Sequence, residues 1–157
     1  MDEQWLQALG HMPHGIYLLT THDGEEINGM IASWVSQVSY APPLVLVAVH
    51  PDRYSHGLIE KSGTFALHIL ATGQKDLLKR FKGPDPSAKF RSLEWFRDET
   101  GCPISRACVG YVECVVRDTY RPGNHSLFVG EVVNARHLSD QAPLTTLDYE
   151  GCYTGER

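Results

Sequence analysis

Residues 15–49, GIYLLTTHDGEEINGMIASWVSQVSYAPPLVLVAV, decide the fold class that this sequence predicts. Residues 15–21 are rich in residues that favour β-strands, and the Asp23-Gly24 pair that follows is a hairpin signal. The returning strand is predicted over residues 27–39. Leu44–Val49 is a continuous aliphatic run, which predicts a buried strand. Three strands in quick succession indicate an antiparallel β-sheet.

The rest of the sequence predicts further strands and only short helices. A helix capped by Asp2 would carry Trp5, Leu6 and Leu9 on one face, and that face would lie on a partner surface. The other predicted elements are helices at 54–61 and 74–82, strands at 64–70, 109–120 and 125–138, and a long packed loop at 84–105. Because no regular βαβ alternation is present, a mainly β antiparallel barrel is expected.

Composition and charge limit the classes of function. The chain has 157 residues, 42% hydrophobic and 21% charged, close to globular averages, and its length predicts one domain over residues 1–157. Fourteen Lys and Arg against nineteen Asp and Glu give a net charge of −5, so no nucleic-acid partner is expected. No aliphatic run approaches the roughly 20 residues that span a bilayer, and no signal-peptide pattern opens the chain. We therefore expect no membrane association and a cytoplasmic location.

Common catalytic and metal motifs are missing from the sequence. It contains no G-x-S-x-G, P-loop or G-x-G-x-x-G pattern. His11 and His14 stand three apart but flank Pro13 and lack further ligands in a known spacing, so a solvated loop is expected there and no metal site. The four cysteines form no C-x-x-C pair and are expected to be thiols: Cys102, Cys108, Cys114 and Cys152.

Two segments are candidates for a ligand site. Small residues recur in residues 28–43, NGMIASWVSQVSYAPP, so a flat ligand or another backbone could approach closely and bond to N–H and hydroxyl groups. A half-exposed strand with serines on its polar face is the alternative. Arg53 to Ser55 precede a predicted helix, where a guanidinium and free N–H groups would attract an anion; an ordinary N-cap is the alternative there.

Four segments together resemble the flavin reductase-like FMN-binding split-barrel family. They are residues 15–49, GCPI at 101–104, GYVEC at 110–114 and NHSLFVGEV at 124–132. The N-G-M-x-A-S-W-x-S-Q-x-S-x-x-P-P pattern at 28–43 is the most specific of these features. The similarity covers nearly the whole chain, and it is closest to modules that stand alone or are fused to flavodiiron proteins and rubredoxins.

The resemblance implies a six-stranded antiparallel split β-barrel with two or three short helices. It also implies a homodimer with FMN bound near the subunit interface. His125 aligns with a family histidine implicated in nicotinamide contact and is the candidate catalytic residue; a plain turn-end role is the alternative. The implied cofactor-binding residues are Asn28, Gly29, Met30, Ile31, Ala32, Ser33, Ser36, Gln37, Ser39, Arg53, Ser55, Phe81, Lys89 and Phe90.

The function that the resemblance implies is an NAD(P)H:FMN oxidoreductase. Hydride would pass from NAD(P)H to FMN, and electrons would continue to free flavin or to a redox partner such as rubredoxin, a flavodiiron protein or a monooxygenase. Hydride transfer to a flavin needs no protein base, which fits a sequence without a catalytic dyad. The alternatives are an FMN electron carrier reduced by another protein, or a barrel for another anionic cofactor, as in the related pyridoxamine phosphate oxidases.

Overall fold

The computed structural model describes residues 1–150. Within them the chain forms nine β-strands, four α-helices and two 3-10 turns, at Thr72–Gln74 and Thr146–Asp148. The helices are α1 (Glu3–Gly10), α2 (Tyr54–Ser62), α3 (Asp76–Lys82) and α4 (Pro86–Phe90). The strands are β1 (Tyr17–His22), β2 (Ile27–Ala32), β3 (Val35–Ser39), β4 (Leu44–Val49), β5 (Thr64–Ile69), β6 (Trp95–Arg97), β7 (Pro103–Ser105), β8 (Gly110–Tyr120) and β9 (Ser126–His137).

Seven strands form one antiparallel sheet in the order β2-β1-β5-β8-β9-β4-β3. Its two edge strands, β2 and β3, are consecutive in the chain and are separated only by Ser33 and Trp34. The Trp34 carbonyl accepts from the Ala48 N–H at 3.0 Å, which ties the crossing to β4. The sheet therefore curls until its edges meet, and the predicted mainly β, antiparallel split barrel is confirmed.

The single strand expected over residues 27–39 is wrong. Residues on either side of Ser33 and Trp34 lie at opposite ends of the sheet. Ile31 before the crossing and Trp34 and Val35 at and after it favour strands, so local propensity does not mark the crossing. This break is one reason why the main sheet has seven strands and not six.

The hairpin between β1 and β2 sets the register of the most informative segment. Gly24 has φ of +102°, which the turn after β1 requires. The register pairs Thr21 with Asn28 and Thr20 with Gly29. Because side chains alternate across a strand, this register fixes which residues of β2 face outward toward the short helices.

Two hydrophobic clusters lie on opposite faces of the sheet. Leu19, Phe65 and Phe128, all fully buried, belong to the cluster inside the barrel. Leu18 and Phe81 belong to the cluster between the sheet and helices α3 and α4. Burial of each such side chain contributes about 1.5–3 kcal/mol. The sheet is therefore covered on both faces at β1, because the helices supply a second layer.

Strand β4 is less buried than its aliphatic run predicts. Val47 and Val49 are fully buried in the barrel, whereas Leu44, Val45 and Leu46 are half-buried. In the sheet, β4 pairs with β9 on one side and with the edge strand β3 on the other.

The long loop expected over residues 84–105 is instead an excursion with its own secondary structure. It contains α4 and the two-stranded ribbon β6-β7. Phe90 and Ile104 are buried, and Thr20 Oγ1 donates to the Pro103 carbonyl at 2.6 Å. These tertiary contacts stabilise elements that are too short to show periodicity, so residues 1–150 contain four helices rather than two or three.

Candidate functional site

An open cleft of about 640 Å³ lies along β2. Its walls come from β2, the segment after β4, the start of α2, helices α3 and α4, and the turn near residue 146. Nine of the predicted cofactor-binding residues line it: Asn28, Met30, Ile31, Ala32, Ser33, Arg53, Ser55, Phe81 and Lys89. Residues far apart in the sequence are thus brought to one surface.

Gly29 and Phe90 lie directly behind this surface. A Cβ atom at Gly29 would stand 2.6 Å from the Phe81 ring, so only glycine lets the phenylalanine pack here. The Phe81 and Phe90 rings pack edge-to-face with centroids 5.5 Å apart. The aromatic pair therefore supports the cleft wall from α3 and α4.

Ser36, Gln37 and Ser39 do not line the cleft. They lie on β3, where Ser36 and Gln37 are exposed. Ser36 Oγ donates to the Gln37 carbonyl at 3.1 Å, and Gln37 Nε2 donates to the Ser39 carbonyl at 3.2 Å. The Ser36 and Gln37 side chains thus bond to the backbone of β3, and none of the three residues lines the cleft.

A buried polar chain connects α4, β2 and α2. Lys89 Nζ donates to Asn28 Oδ1 at 3.0 Å and to the Gly29 carbonyl at 2.8 Å. The Asn28 amide in turn donates to Ser55 Oγ at 2.9 Å. Lys89, Asn28 and Ser55 are all less than 7% exposed. The network therefore fixes three predicted site residues in one arrangement.

The Lys89 ammonium group has no carboxylate partner among the described residues. Burial lowers the pKa of Lys89, as does the nearby Arg53 guanidinium, and Asp85 opposes these effects only in part. A buried cation without a counter-ion is costly. Two cations at one end of a cleft therefore make a site that an anionic group of a ligand would stabilise.

Arg53 occupies the N-cap position of α2, but its side chain makes no capping hydrogen bond. The guanidinium is exposed and lines the cleft. Arg53 is thus the N-cap residue by position, but neither Arg53 nor Ser55 caps the helix through its side chain, because Ser55 bonds to Asn28 instead.

His125 lies behind the cleft wall. Its ring centroid is 4.8 Å from that of Trp34 and 5.2 Å from that of His50, and both of these neighbours line the cleft. His125 Nδ1 donates to Asn124 Oδ1 at 2.8 Å. Burial lowers the pKa of His125, and the charges of His50 and Arg53 act in the same direction. The imidazole is therefore neutral near pH 7.

Several cleft residues carried no signal in the sequence. His50 follows directly after the predicted strand β4, but nothing in its surroundings marks it as a site residue. Tyr149 reaches the cleft from the last described residues, and its hydroxyl accepts from Lys82 Nζ at 2.7 Å. Only long-range folding brings these two residues to β2, so no local motif could have indicated them.

Three further features concern metal binding, membrane-spanning helices and the cysteines. Residues 1–150 hold no group of three or more His, Cys, Asp or Glu that could bind a metal ion. No helix in this range is long and apolar enough to cross a membrane. Cys102, Cys108 and Cys114 are buried free thiols, as expected, and Cys152 lies outside the described residues.

Comparison with known proteins identifies the family of this chain. The family described as "Flavin reductase like domain" matches residues 9–156. The chain belongs to this family. The family resemblance of the sequence is thereby confirmed, and the match includes every β-strand described above.

Three known proteins illustrate the similarity. The reductase subunit of a flavin-dependent monooxygenase of Mycobacterium tuberculosis is 33% identical over 94% of this chain and 79% of its own. Diflavin flavoprotein A 1 of Synechocystis is 33% identical over 87% of this chain, which spans only 24% of that longer protein. The structure of Streptomyces globisporus NADH:FAD oxidoreductase, in complex with NAD and FAD fragments, has a TM-score of 0.83 and 30% identity, covering 90% of this chain and 86% of its own.

Proposed function

We propose that this protein is an FMN-binding flavin reductase, which transfers a hydride from NAD(P)H to FMN and passes the electrons to free flavin or to a redox partner. The observation that carries the proposal is the cleft along β2, with the buried Lys89 ammonium group and Arg53 close together. A flat, anionic ligand fits this combination of a smooth wall and two cations.

The residues of the cleft fit the two ends of FMN. Small side chains of β2 and its end, Ala32 and Ser33, leave the backbone accessible to a flat ring system. The phosphate would bind at Arg53, close to Lys89 and Ser55. A guanidinium and an ammonium group suit a dianion. The phosphate would supply the negative counter-charge that Lys89 does not find among the described residues.

Bound FMN supplies the redox chemistry, since its ring accepts the hydride of a nicotinamide. The chain's own task is to orient the two rings and to shield their encounter from water. Trp34 and Phe81 offer apolar surface on the cleft walls for that purpose. Contact between His125 and the nicotinamide remains a prediction. The His125 ring touches Trp34 and His50, which line the cleft, so it would influence the nicotinamide through these two residues.

A homodimer is part of the proposal. Ser36, Gln37 and Ser39 lie on an exposed edge strand, and a second copy packed there would let them contribute to a cofactor site. Names of relatives support a partner enzyme, because one relative is the reductase subunit of a monooxygenase and another is a longer diflavin protein. Three buried thiols suit a reducing, cytoplasmic compartment.

The direct test is anaerobic mixing of the purified protein with FMN and then with NADH or NADPH. We expect flavin binding, followed by rapid bleaching of the flavin absorption with at least one nucleotide. The same experiment with FAD and with riboflavin shows which flavin the protein binds and reduces best. Lys89→Met is the matched variant: it removes the buried charge and should weaken binding of FMN far more than binding of riboflavin.

Two outcomes would contradict the proposal. Failure to bind any flavin would remove its central claim. Binding of FMN without bleaching by either nucleotide would instead indicate an electron carrier that another protein reduces.

A further inference from the structure

The ring of His50 lines the cleft, and its hydrogen bonds define its tautomer. The backbone N–H of Asp52 donates to His50 Nδ1 at 3.2 Å. Nδ1 is therefore an acceptor, and the tautomer that fits this bond carries its proton on Nε2. No residue of the range 1–150 accepts a hydrogen bond from this Nε2–H. His50 thus offers one donor that residues 1–150 leave unused.

The orientation of this donor is fixed before a ligand arrives. The side chain of His50 is only 19% exposed. Its ring packs edge-to-face against His125 with centroids 5.2 Å apart, and its carbonyl accepts from the Arg53 N–H at 3.0 Å. A donor held in this way loses little conformational freedom on binding, so its hydrogen bond contributes more to affinity.

The surroundings of His50 select a neutral acceptor. The carboxylate of Asp52 also lines the cleft, and its Oδ2 is 3.7 Å from His50 Nδ1. Arg53 and Lys89 are two cations of the same cleft, and they provide a better place for a phosphate than this position beside a carboxylate. A carbonyl oxygen carries no net charge and accepts readily from an imidazole N–H.

We propose that His50 Nε2–H donates a hydrogen bond to an amide-type carbonyl oxygen of a bound redox ligand. Two sources have this chemistry: the carbonyl groups of the flavin ring and the carboxamide of the nicotinamide. The inference rests on the proposed flavin reductase function and adds a substrate-contacting residue to it. His125 is then a positioning residue, because it holds the His50 ring from behind.

The experiment compares His50→Phe with His50→Gln in the full-length chain. Phenylalanine keeps an aromatic ring against His125 but has no donor, whereas glutamine restores a side-chain N–H. The readouts are the Kd for FMN from flavin fluorescence, and the KM for NADH or NADPH and kcat from anaerobic flavin reduction. We expect His50→Phe to weaken one of the two ligands about 3- to 10-fold and His50→Gln to recover most of the loss.

The ligand that weakens identifies the source of the carbonyl. A change in the Kd for FMN alone assigns it to the flavin, and a change in the KM for the nucleotide alone assigns it to the carboxamide. His137→Phe is the matched control, because His137 is an exposed histidine on β9 that does not line the cleft. Thermal unfolding of each variant checks that the fold is kept.

Wild-type values for both ligands in His50→Phe would overturn the inference while leaving the proposed function intact. Equal losses in His50→Phe and His50→Gln would also overturn it, because the ring's shape and not its donor would then matter. If the wild-type protein bound no flavin, the proposed function would fail first, and the His50 assignment would fall with it.

Discussion

Arg53 and Lys89 place two positive charges in one cleft, but their environments differ. The Arg53 side chain is exposed and makes no capping bond, whereas Lys89 is buried and bonded to Asn28. Removal of Arg53 should therefore leave the fold almost unchanged, as is usual for exposed side chains. We expect Arg53→Ala to weaken FMN binding by about 10-fold or more and riboflavin binding hardly at all. Titration of both flavins at one fixed salt concentration measures the difference.

The comparison of the two flavins separates charge from shape in the Arg53 experiment. Riboflavin lacks the phosphate, so general damage to the cleft would weaken both ligands together. Equal losses, or no loss for FMN, would mean that Arg53 does not bind the phosphate. The anion site would then lie at Lys89 or Lys82, which also line the cleft.

Gly29 shows how one missing side chain shapes the cleft wall. An added Cβ would stand 2.6–2.7 Å from two atoms of the Phe81 ring, which is itself only 2% exposed and cannot move aside. We expect Gly29→Ala to lower the free energy of unfolding by about 1–3 kcal/mol and to weaken flavin binding. Urea unfolding and fluorescence titration measure the two effects.

Gly57 provides the matched glycine for that experiment. It lies in α2, and a Cβ there would meet nothing within 4 Å. Since alanine favours a helix over glycine, Gly57→Ala should stabilise the fold by up to about 1 kcal/mol and leave flavin binding unchanged. Similar behaviour of the two variants would show that the contact with Phe81 is not what excludes a side chain at Gly29.

At the scale of elements, His68 on β5 connects strands that are distant in sequence. Its Nδ1 donates to the Leu18 carbonyl on β1 at 2.9 Å, and its Nε2 accepts from the Ser105 N–H on β7 at 3.1 Å. Burial lowers the pKa of His68 to about 4. Protonation of Nε2 would break the bond to Ser105, so only the neutral ring of His68 can make this particular contact between the barrel and the excursion.

The lowered pKa of His68 predicts that the free energy of unfolding falls as the solution becomes acidic. Between pH 6.5 and about 4 the unfolded chain binds a proton at His68 that the folded chain does not, so the free energy of unfolding rises with pH. The contribution is fully present above pH 6.5 and amounts to about 3 kcal/mol. Urea unfolding at several pH values should show a shallower slope for His68→Gln than for the wild type.

Other histidines contribute to the same slope, so His68→Gln should reduce it without abolishing it. Burial is also the main cause that lowers the pKa of His56 and of His125. His137→Gln, on the surface, is expected to keep the wild-type slope. An unchanged slope in His68→Gln would mean that His68 takes up its proton without disturbing the fold.

The elements that the sequence predicts well are those defined by local signals. The aliphatic run Leu44–Val49 is a strand with the predicted bounds, and Gly63 ends α2 in the left-handed conformation with φ of +67°. The crossing at Ser33-Trp34 and the excursion depend on long-range contacts, such as Ala48 N–H to Trp34 and the burial of Ile104. Propensity cannot show where two sheet edges will meet, so these features were not predictable.

The candidate site divides in the same way. The small residues of β2 carry a strong pattern, and Arg53 stands out as a cation before a helix, so both were found in the sequence. His50 and Tyr149 reach the cleft only because the barrel closes and the chain returns near residue 146. The same motif predicts Ser36 and Ser39 as site residues, but the crossing carries them to the other edge of the sheet.

At the scale of the whole molecule, one chain leaves apolar surface uncovered. Trp5 and Leu9 on α1 are 67% and 52% exposed, and Val38 and Tyr40 at the end of β3 are 51% and 89% exposed. The aromatic residues of the excursion, by contrast, pack against their own chain, as Phe90 does. Exposed apolar residues on a helix and on an edge strand are typical of an interface between subunits. The homodimer prediction therefore concerns α1 and β3, and the excursion is a poorer candidate for the contact.

We expect the FMN-loaded protein to sediment with twice the 17.6 kDa mass of one chain. Trp5→Lys and Val38→Lys each place a charge on one of the two exposed surfaces, so the variant that forms monomers identifies the interface. That variant should also bind FMN more weakly, because an open cleft needs a second wall to enclose its ligand. Leu147→Lys is the matched control, since Leu147 is 81% exposed and lies on neither α1 nor β3. A wild-type protein that stays monomeric at every concentration, with FMN bound tightly, would show that one chain completes the site.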